Sequence, residues 1–146
     1  MLLLDDGGLT LDALRDWETA PGPVALADAA RARMESSVAT VQRVVATDRV
    51  SYGINTGFGA FANRRISTSQ LAQLQYNLVR SHACGTGTPL APGLVRRMMI
   101  LKANSLAAGL SGIRPAVVDA LLAMLYVDVL PLFPGRGSVG ASGDLA

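Results

Sequence analysis

The chain has 146 residues, of which 50% are hydrophobic and only 16% are charged, so it can bury a core and is not a disordered protein. Its formal net charge is +2, and its single lysine, Lys102, lies in no basic tract, which argues against a nucleic-acid partner. The apolar runs are shorter than the roughly 18 residues that a membrane helix needs, and the start lacks a basic segment, so we expect neither a membrane partner nor a signal peptide.

The first third of the sequence predicts two helices. Residues Leu9 to Glu18 form a short helical pattern, with Thr10 as a possible N-cap, and the segment Pro21-Gly22-Pro23 interrupts it. A longer helix is predicted from Ala27 to Thr47, because four apolar residues recur along one of its faces: Met34, Val38, Val41 and Val45.

The helical pattern stops at Val50. The segment from Tyr52 to Phe61 contains three glycines within seven residues, which is typical of a structured loop and not of a helix or a strand. Ser67 followed by Gln70 matches a capping box and predicts the start of the next helix. This helix carries Leu71, Leu74 and Leu78 on one face and should end near Gly85 or Gly87.

Prolines mark the beginnings of two further helices. Pro89 and Pro92 should start a helix that runs to about Gly109, with Leu94, Met98 and Leu101 on its apolar face. Arg114-Pro115 opens another, with proline in the first turn and an apolar face made of Val118, Leu121, Leu122 and Leu125. Prolines 131 and 134 exclude a central strand over residues 127–133, so a mainly α protein with two glycine-rich loops is predicted.

The C-terminal segment is rich in glycine and allows two interpretations. Residues Gly135 to Gly140 match the G-x-G-x-x-G pattern, but a dinucleotide site needs a strand before it and a helix opening within it. Pro134 directly precedes the first glycine, and no strand–helix–strand pattern is predicted upstream. A nucleotide cofactor is therefore not expected.

The tripeptide Ala141-Ser142-Gly143 suggests a different chemistry. The amide nitrogen of Gly143 could attack the carbonyl carbon of Ala141 and close a five-membered ring, because a residue without Cβ can bend far enough. Loss of water from the ring and from the hydroxyl of Ser142 would leave an exocyclic methylidene, which is a strong electrophile. Taken alone the tripeptide is a common loop sequence, so this interpretation depends on its context.

Four segments supply that context. They are Tyr52 to Gly59, Asn77 to Gly85, Leu101 to Leu106 with Ser111 to Pro115, and Gly137 to Ala146. In this order they resemble the aromatic amino acid ammonia-lyases, the family that uses the methylidene-imidazolone (MIO) group. The resemblance covers most of the chain from about Val50 to Ala146.

The resemblance implies a mainly α fold, related to fumarases and aspartases, with glycine-rich active-site loops. It also implies a homotetramer with shared active sites, and non-oxidative elimination of ammonia from an aromatic amino acid. Members of the family are several times longer than this chain. We therefore expect residues 1–146 to be the N-terminal, MIO-bearing region of a longer chain, without its C-terminal helical bundle and inactive by itself.

The resemblance also assigns roles to individual residues. Ala141, Ser142 and Gly143 would form the MIO group, to which the substrate amine adds, with no metal and no nucleotide. Tyr52 matches the family's catalytic acid or base on a mobile loop, although a buried structural tyrosine is the alternative. A backbone carbonyl near Gly59 would contact the substrate amine.

The pair Ser81-His82 matches the position where the family selects the substrate ring. Ser-His resembles the histidine-specific members, whereas the tyrosine and phenylalanine enzymes tend to have His-Leu and Phe-Leu. An imidazole can pair with another imidazole, one nitrogen donating and one accepting. Conversion of L-histidine to trans-urocanate is therefore expected. A lone histidine near a helix end is otherwise most often structural.

Two other outcomes stay open. One is a tyrosine or phenylalanine ammonia-lyase or an aminomutase of the same family, and the other is an inactive helical piece with only an oligomerising role. Among the remaining residues, Asn55 and Gly57 should shape the Tyr52 loop, and Asn104 and Arg114 could be structural. Cys84, the only cysteine, is interpreted as a packing residue, and its isolation fits a reducing compartment such as the cytoplasm.

Overall fold

A computed structural model describes residues 1–47, 50–57, 59 and 62–137 of the chain. Over these residues the protein is mainly helical, which confirms the predicted fold class. The elements, in chain order, are β1 (Leu2–Leu4), α1 (Leu11–Thr19), β2 (Val24–Leu26), α2 (Asp28–Ala46), α3 (Leu71–His82), β3 (Thr86–Pro89), α4 (Pro92–Ala107), α5 (Pro115–Tyr126) and β4 (Pro134–Arg136).

The chain divides into two compact units. Unit 1 contains Met1–Thr40 and Ala91–Pro131, and unit 2 contains Val41–Leu90 and Leu132–Ala146. No helix within the described ranges combines the length and the apolar character that crossing a membrane requires.

Unit 1 begins with a small strand–helix–strand motif. Strands β1 and β2 are parallel, with Leu2 opposite Val24 and Leu4 opposite Leu26, and α1 connects them. The expectation that no such motif precedes the glycine-rich segment was therefore wrong. Each strand has only three residues, which is too short for an alternating pattern to be recognised in the sequence.

Helix α1 begins where the sequence predicts. The hydroxyl of Thr10 accepts a hydrogen bond from the backbone N–H of Ala13 at 3.2 Å, which confirms Thr10 as the N-cap. After the helix, the indole N–H of Trp17 donates to the carbonyl of Gly22 at 2.8 Å. This bond fixes the Pro-Gly-Pro turn that leads into β2.

Helix α2 confirms the predicted long helix to within a residue at each end. Met34 is fully buried, and the other three residues of the predicted face are half-buried. Near the start of the helix, both terminal nitrogens of Arg31 donate to the carboxylate of Asp119, each at 2.9 Å. This hydrogen-bonded carboxylate raises the pKa of Arg31 above its ordinary value.

Helix α4 contributes more buried apolar residues to the core of unit 1 than any other described helix, but through a different face from the predicted one. Leu94 and Leu101 are 42% and 47% exposed, whereas six apolar residues are buried: Val95, Met99, Ile100, Ala103, Leu106 and Ala107. Because apolar residues occur around most of this helix, the spacing alone fits more than one face. Pro89 does not start the helix either, since it ends strand β3.

Helix α5 agrees with the sequence in both its start and its buried face. Pro115 occupies the first helical position, after Arg114 as N-cap. Val118, Leu122 and Leu125 are buried, and Leu121 is half-buried.

In unit 2, helix α3 begins later than predicted. Residues Thr68–Gln70 form a 3₁₀ turn, in which the backbone N–H of Gln70 donates to the carbonyl of Ser67 at 2.9 Å. The Ser67 hydroxyl therefore does not cap the backbone but donates to the side-chain oxygen of Gln70 at 3.0 Å. The predicted capping box was wrong, and α3 starts at Leu71 without a side-chain cap.

Helix α3 ends at His82, as expected before Gly85. Its predicted apolar residues, Leu71, Leu74 and Leu78, are half-buried. Cys84, which follows the helix, is exposed, so its interpretation as a packing residue was wrong.

Candidate active site

The predicted site residues of the described chain lie on two segments of unit 2. Tyr52 and Gly59 belong to a loop between α2 and α3, and Ser81 and His82 form the C-terminal end of α3. The third group, Ala141, Ser142 and Gly143, lies outside the described residues.

The loop that carries Tyr52 is tied together by its own backbone. The side-chain oxygen of Asn55 accepts from the backbone N–H of Ser51 at 2.7 Å, and the Asn55 carbonyl accepts from the N–H of Ile66 at 2.9 Å. The N–H of Gly57 donates to the carbonyl of Arg64 at 3.0 Å. Asn55 is buried; its side-chain amide holds the start of the loop and its backbone carbonyl holds the return, which supports its predicted shaping role.

Tyr52 is presented on the outside of this loop. It occupies a turn in which the N–H of Ile54 donates to the carbonyl of Ser51 at 3.2 Å, and the next residue, Gly53, has a φ of +78°. A left-handed φ of this kind favours glycine over residues with a side chain. The Tyr52 side chain is 66% exposed within this chain.

Gly59 also adopts a left-handed conformation, with a φ of +56°. Its carbonyl accepts the N–H of Ala62 at 3.0 Å. A carbonyl oxygen has two lone pairs, so this bond leaves one acceptor direction for a donor such as an amine. The predicted contact is between a substrate amine and a backbone carbonyl near Gly59, and it stays a prediction.

Ser81 and His82 form a hydrogen-bonded cluster on the last turn of α3. The Nδ1 atom of His82 lies 2.9 Å from the carbonyl oxygen of Leu78 and 2.7 Å from the hydroxyl oxygen of Ser81. The Ser81 hydroxyl itself donates to the Leu78 carbonyl at 2.9 Å. Both side chains therefore converge on the same carbonyl, in the last turn of the helix.

The donor and acceptor roles in this cluster depend on the tautomer of the ring. With its proton on Nδ1, the ring donates to the Leu78 carbonyl, because a carbonyl can only accept. In the neutral ring Nε2 is then unprotonated and carries a lone pair. His82 is half-buried, and the cluster orients its ring to accept a hydrogen bond through Nε2.

Sequence analysis missed the Leu78 carbonyl as the group that orients His82. The signal was present, because Leu78 precedes His82 by four residues and the helix ends there. It also missed the pairing of β3 with β4, which brings Thr86 opposite Arg136, five positions before Ala141. This strand pair holds the residues that lead into the predicted electrophile.

Two further residues that the sequence singled out have structural roles in unit 1. The amide nitrogen of Asn104 donates to the carbonyl of Gly7 at 2.8 Å, and Asn104 is only 8% exposed. Arg114 is the N-cap of α5, and its carbonyl accepts from the N–H of Val117 at 3.0 Å.

The aromatic amino acid lyase family matches residues 9–146. A histidine ammonia-lyase of Paracidovorax citrulli is 53% identical over 145 residues, which are 99% of this chain and 28% of that protein. The chain therefore spans less than a third of the length of the curated relatives that it matches.

Solved structures support the same relationship. A crystal structure of histidine ammonia-lyase from Trypanosoma cruzi superimposes with a TM-score of 0.82 at 37% identity, covering 96% of this chain and 27% of that one. The phenylalanine aminomutase of Pantoea agglomerans superimposes with a TM-score of 0.86 at 27% identity, covering 96% of this chain and 28% of that one. The backbone is thus shared between lyases and aminomutases, while sequence identity is higher to the histidine enzymes.

Proposed function

Because the chain belongs to the aromatic amino acid lyase family, we propose that the full-length protein eliminates ammonia from L-histidine to give trans-urocanate. Residues 1–146 are then one region of this enzyme, which carries the electrophile, the tyrosine and the residue that selects the substrate ring. We expect a homotetramer in the cytoplasm, with further binding residues from outside this region. The single cysteine fits that compartment.

The observation that carries the choice of substrate is the hydrogen bonding of His82. Nδ1 lies 2.9 Å from the Leu78 carbonyl oxygen, and in the tautomer that donates there, Nε2 offers an acceptor to the N–H of an incoming imidazole. A phenyl ring has no donor for this lone pair, and binding it would leave the polar nitrogen unpaired. Such a loss discriminates strongly between substrates, because an unpaired buried polar group costs about 1–3 kcal/mol.

The composition of residues 141–143 fits the MIO group. Attack of the Gly143 nitrogen on the Ala141 carbonyl carbon forms a C–N bond. The oxygen of that carbonyl then leaves as water, together with the amide hydrogens of Ser142 and Gly143. The Ser142 hydroxyl leaves as a second water with the hydrogen of its own Cα, which creates the exocyclic double bond. When formed, this group supplies an electrophile for the amine of the substrate.

Tyr52 is proposed as the acid or base of the reaction. Its exposed side chain lies on a loop whose start is fixed by Asn55, which would hold the ring towards a substrate. A positioned proton donor or acceptor contributes about 10²- to 10⁴-fold to the rate of such a reaction. A backbone carbonyl near Gly59 would help to orient the substrate amine.

The direct test measures product formation by the full-length protein with L-histidine, L-tyrosine and L-phenylalanine, each supplied separately. The proposal predicts a near-ultraviolet absorbance gain from urocanate with L-histidine, together with one ammonia released per urocanate formed. Product from tyrosine or phenylalanine alone would reject the assignment of the substrate but not the ammonia-lyase chemistry.

The same assay separates the lyase from an aminomutase, the alternative that the shared backbone favours. An aminomutase returns the amine to the β-carbon, so its product is a β-amino acid and no ammonia accumulates. Mass spectrometry and chiral chromatography of the products distinguish the two. A β-amino acid as main product would reject the proposed elimination.

A further inference from the structure

Strands β3 and β4 form an exposed antiparallel pair in unit 2. Thr86 lies opposite Arg136, and Pro89 lies opposite Pro134. All four residues of β3 are exposed, so no buried side chain fixes how the two strands align. The register of an exposed, glycine-rich pair is weakly specified by its side chains and must come from the backbone.

A bulge in β3 is the first backbone feature that sets this register. Between the two paired positions, β3 advances by three residues and β4 by two, so β3 carries one extra residue. Gly87 lies within this bulge and has a φ of +88°, a conformation that favours glycine. A residue that rejects this conformation would remove the bulge or shift the pairing.

Close approach of the two backbones is the second feature. A Cβ atom added to Gly135 would lie 2.7 Å from the carbonyl oxygen of Thr88. This oxygen belongs to the backbone and cannot turn away as the end of a side chain can. Gly135 therefore lets β4 lie against β3 at its present distance, and a larger residue would push the strands apart.

In the sequence, the pair lies between two segments that carry proposed site residues. His82 precedes Thr86 by four positions, and Ala141 follows Arg136 by five. A shift by one residue moves a strand by about 3.3 Å along its neighbour. Such a shift at β4 would be passed through a short connection to the residues that form the electrophile.

We propose that the bulged β3–β4 pair is a positioning device for the reaction, in which Gly87 and Gly135 fix the register of the strand that leads into residues 141–143. This inference rests on the function proposed above. Gly87 and Gly135 act through the backbone and touch no substrate, so they are positioning residues. Misplacement of a reacting group by about 1 Å can lower the rate by about 10²-fold, which sets the expected effect.

The test uses four variants of the full-length protein. Gly135→Ala separates the strands, and Gly87→Val opposes the left-handed φ, whereas Gly87→Asn tolerates it. Gly93→Ala is the matched control, because a Cβ at Gly93 meets no atom within 4 Å. For each variant, trypsin cleavage after Arg136 releases the peptide that contains residues 141–143, and its mass reports the fraction that has lost two waters. Steady-state kinetics and thermal unfolding are measured in parallel.

The proposal predicts that Gly135→Ala and Gly87→Val reduce the dehydrated fraction, or lower kcat/KM by about 10²-fold, while the protein stays folded. Gly93→Ala should behave like the unsubstituted protein in both measurements. Gly87→Asn should lose less than Gly87→Val, although its Cβ still meets the Cγ atom of Arg136 at 3.3 Å. A smaller loss with asparagine than with valine ties the effect to the backbone conformation at Gly87.

Three results would overturn the proposal. The first is full dehydration and unchanged kcat/KM in both Gly135→Ala and Gly87→Val. The second is a loss of dehydration or of kcat/KM that is as large in Gly87→Asn as in Gly87→Val. The third is failure of both disruptive variants to fold, which would make the pair a requirement of the fold. If the unsubstituted peptide has lost no water, the proposed function itself fails, and this is a distinct outcome.

Discussion

Replacement of His82 by leucine tests the role of the imidazole in selecting the substrate. The variant removes the Nε2 acceptor and leaves the imidazole N–H of L-histidine without a partner. Loss of one such bond in a desolvated site costs about 1–3 kcal/mol, and each 1.4 kcal/mol corresponds to about a tenfold change in an equilibrium constant. We therefore expect kcat/KM for L-histidine to fall by about 10- to 100-fold.

Ser81→Ala provides the matched control for this experiment. It removes the Ser81 hydroxyl but leaves Nδ1 of His82 within 2.9 Å of the Leu78 carbonyl, so the orientation of the ring is retained. Its loss in kcat/KM should stay below about tenfold, the equivalent of one modest hydrogen bond. Urocanate formation is followed by absorbance in the full-length protein. Unchanged kcat/KM in His82→Leu, with folding intact, would refute the assignment of His82.

Two further substitutions test the tyrosine and the scaffold. Tyr52→Phe removes the phenolic hydroxyl from an exposed side chain, so kcat should fall by about 10²- to 10⁴-fold with unchanged thermal unfolding. A kcat equal to that of the unsubstituted protein would exclude Tyr52 as acid or base. Asn104→Leu leaves the Gly7 carbonyl without its donor and should cost about 1–3 kcal/mol in a urea titration. The exposed neighbour Ser105, changed to alanine, serves as its control, and equal stability of the two variants would contradict the structural role of Asn104.

The features that could be predicted from the sequence are those with a strong local signal. Thr10 caps α1, and Pro115 opens α5 with its predicted buried face, because caps, prolines and apolar spacing act within a few residues. The positions of Tyr52 and His82 on a loop and at a helix end follow from the same local signals. Their proposed roles came from the resemblance to a family.

The features that were missed depend on contacts between distant parts of the chain. The pairing of β1 with β2, and of β3 with β4, joins strands of three or four residues, which are too short for a recognisable period. The buried face of α4 was mispredicted because several of its faces are apolar and only packing selects one of them. The capping box failed because a 3₁₀ turn gave the Gln70 N–H a backbone acceptor, which a sequence pattern does not reveal.

The most direct test of the central claim is the mass of the tryptic peptide that begins at Gly137 in the full-length protein. If Ala141, Ser142 and Gly143 form the electrophile, this peptide is lighter than its sequence by two water molecules. The Ser142→Ala variant cannot lose the second water and should also lose activity with L-histidine. A peptide of full mass in a protein that converts L-histidine to urocanate would contradict the account.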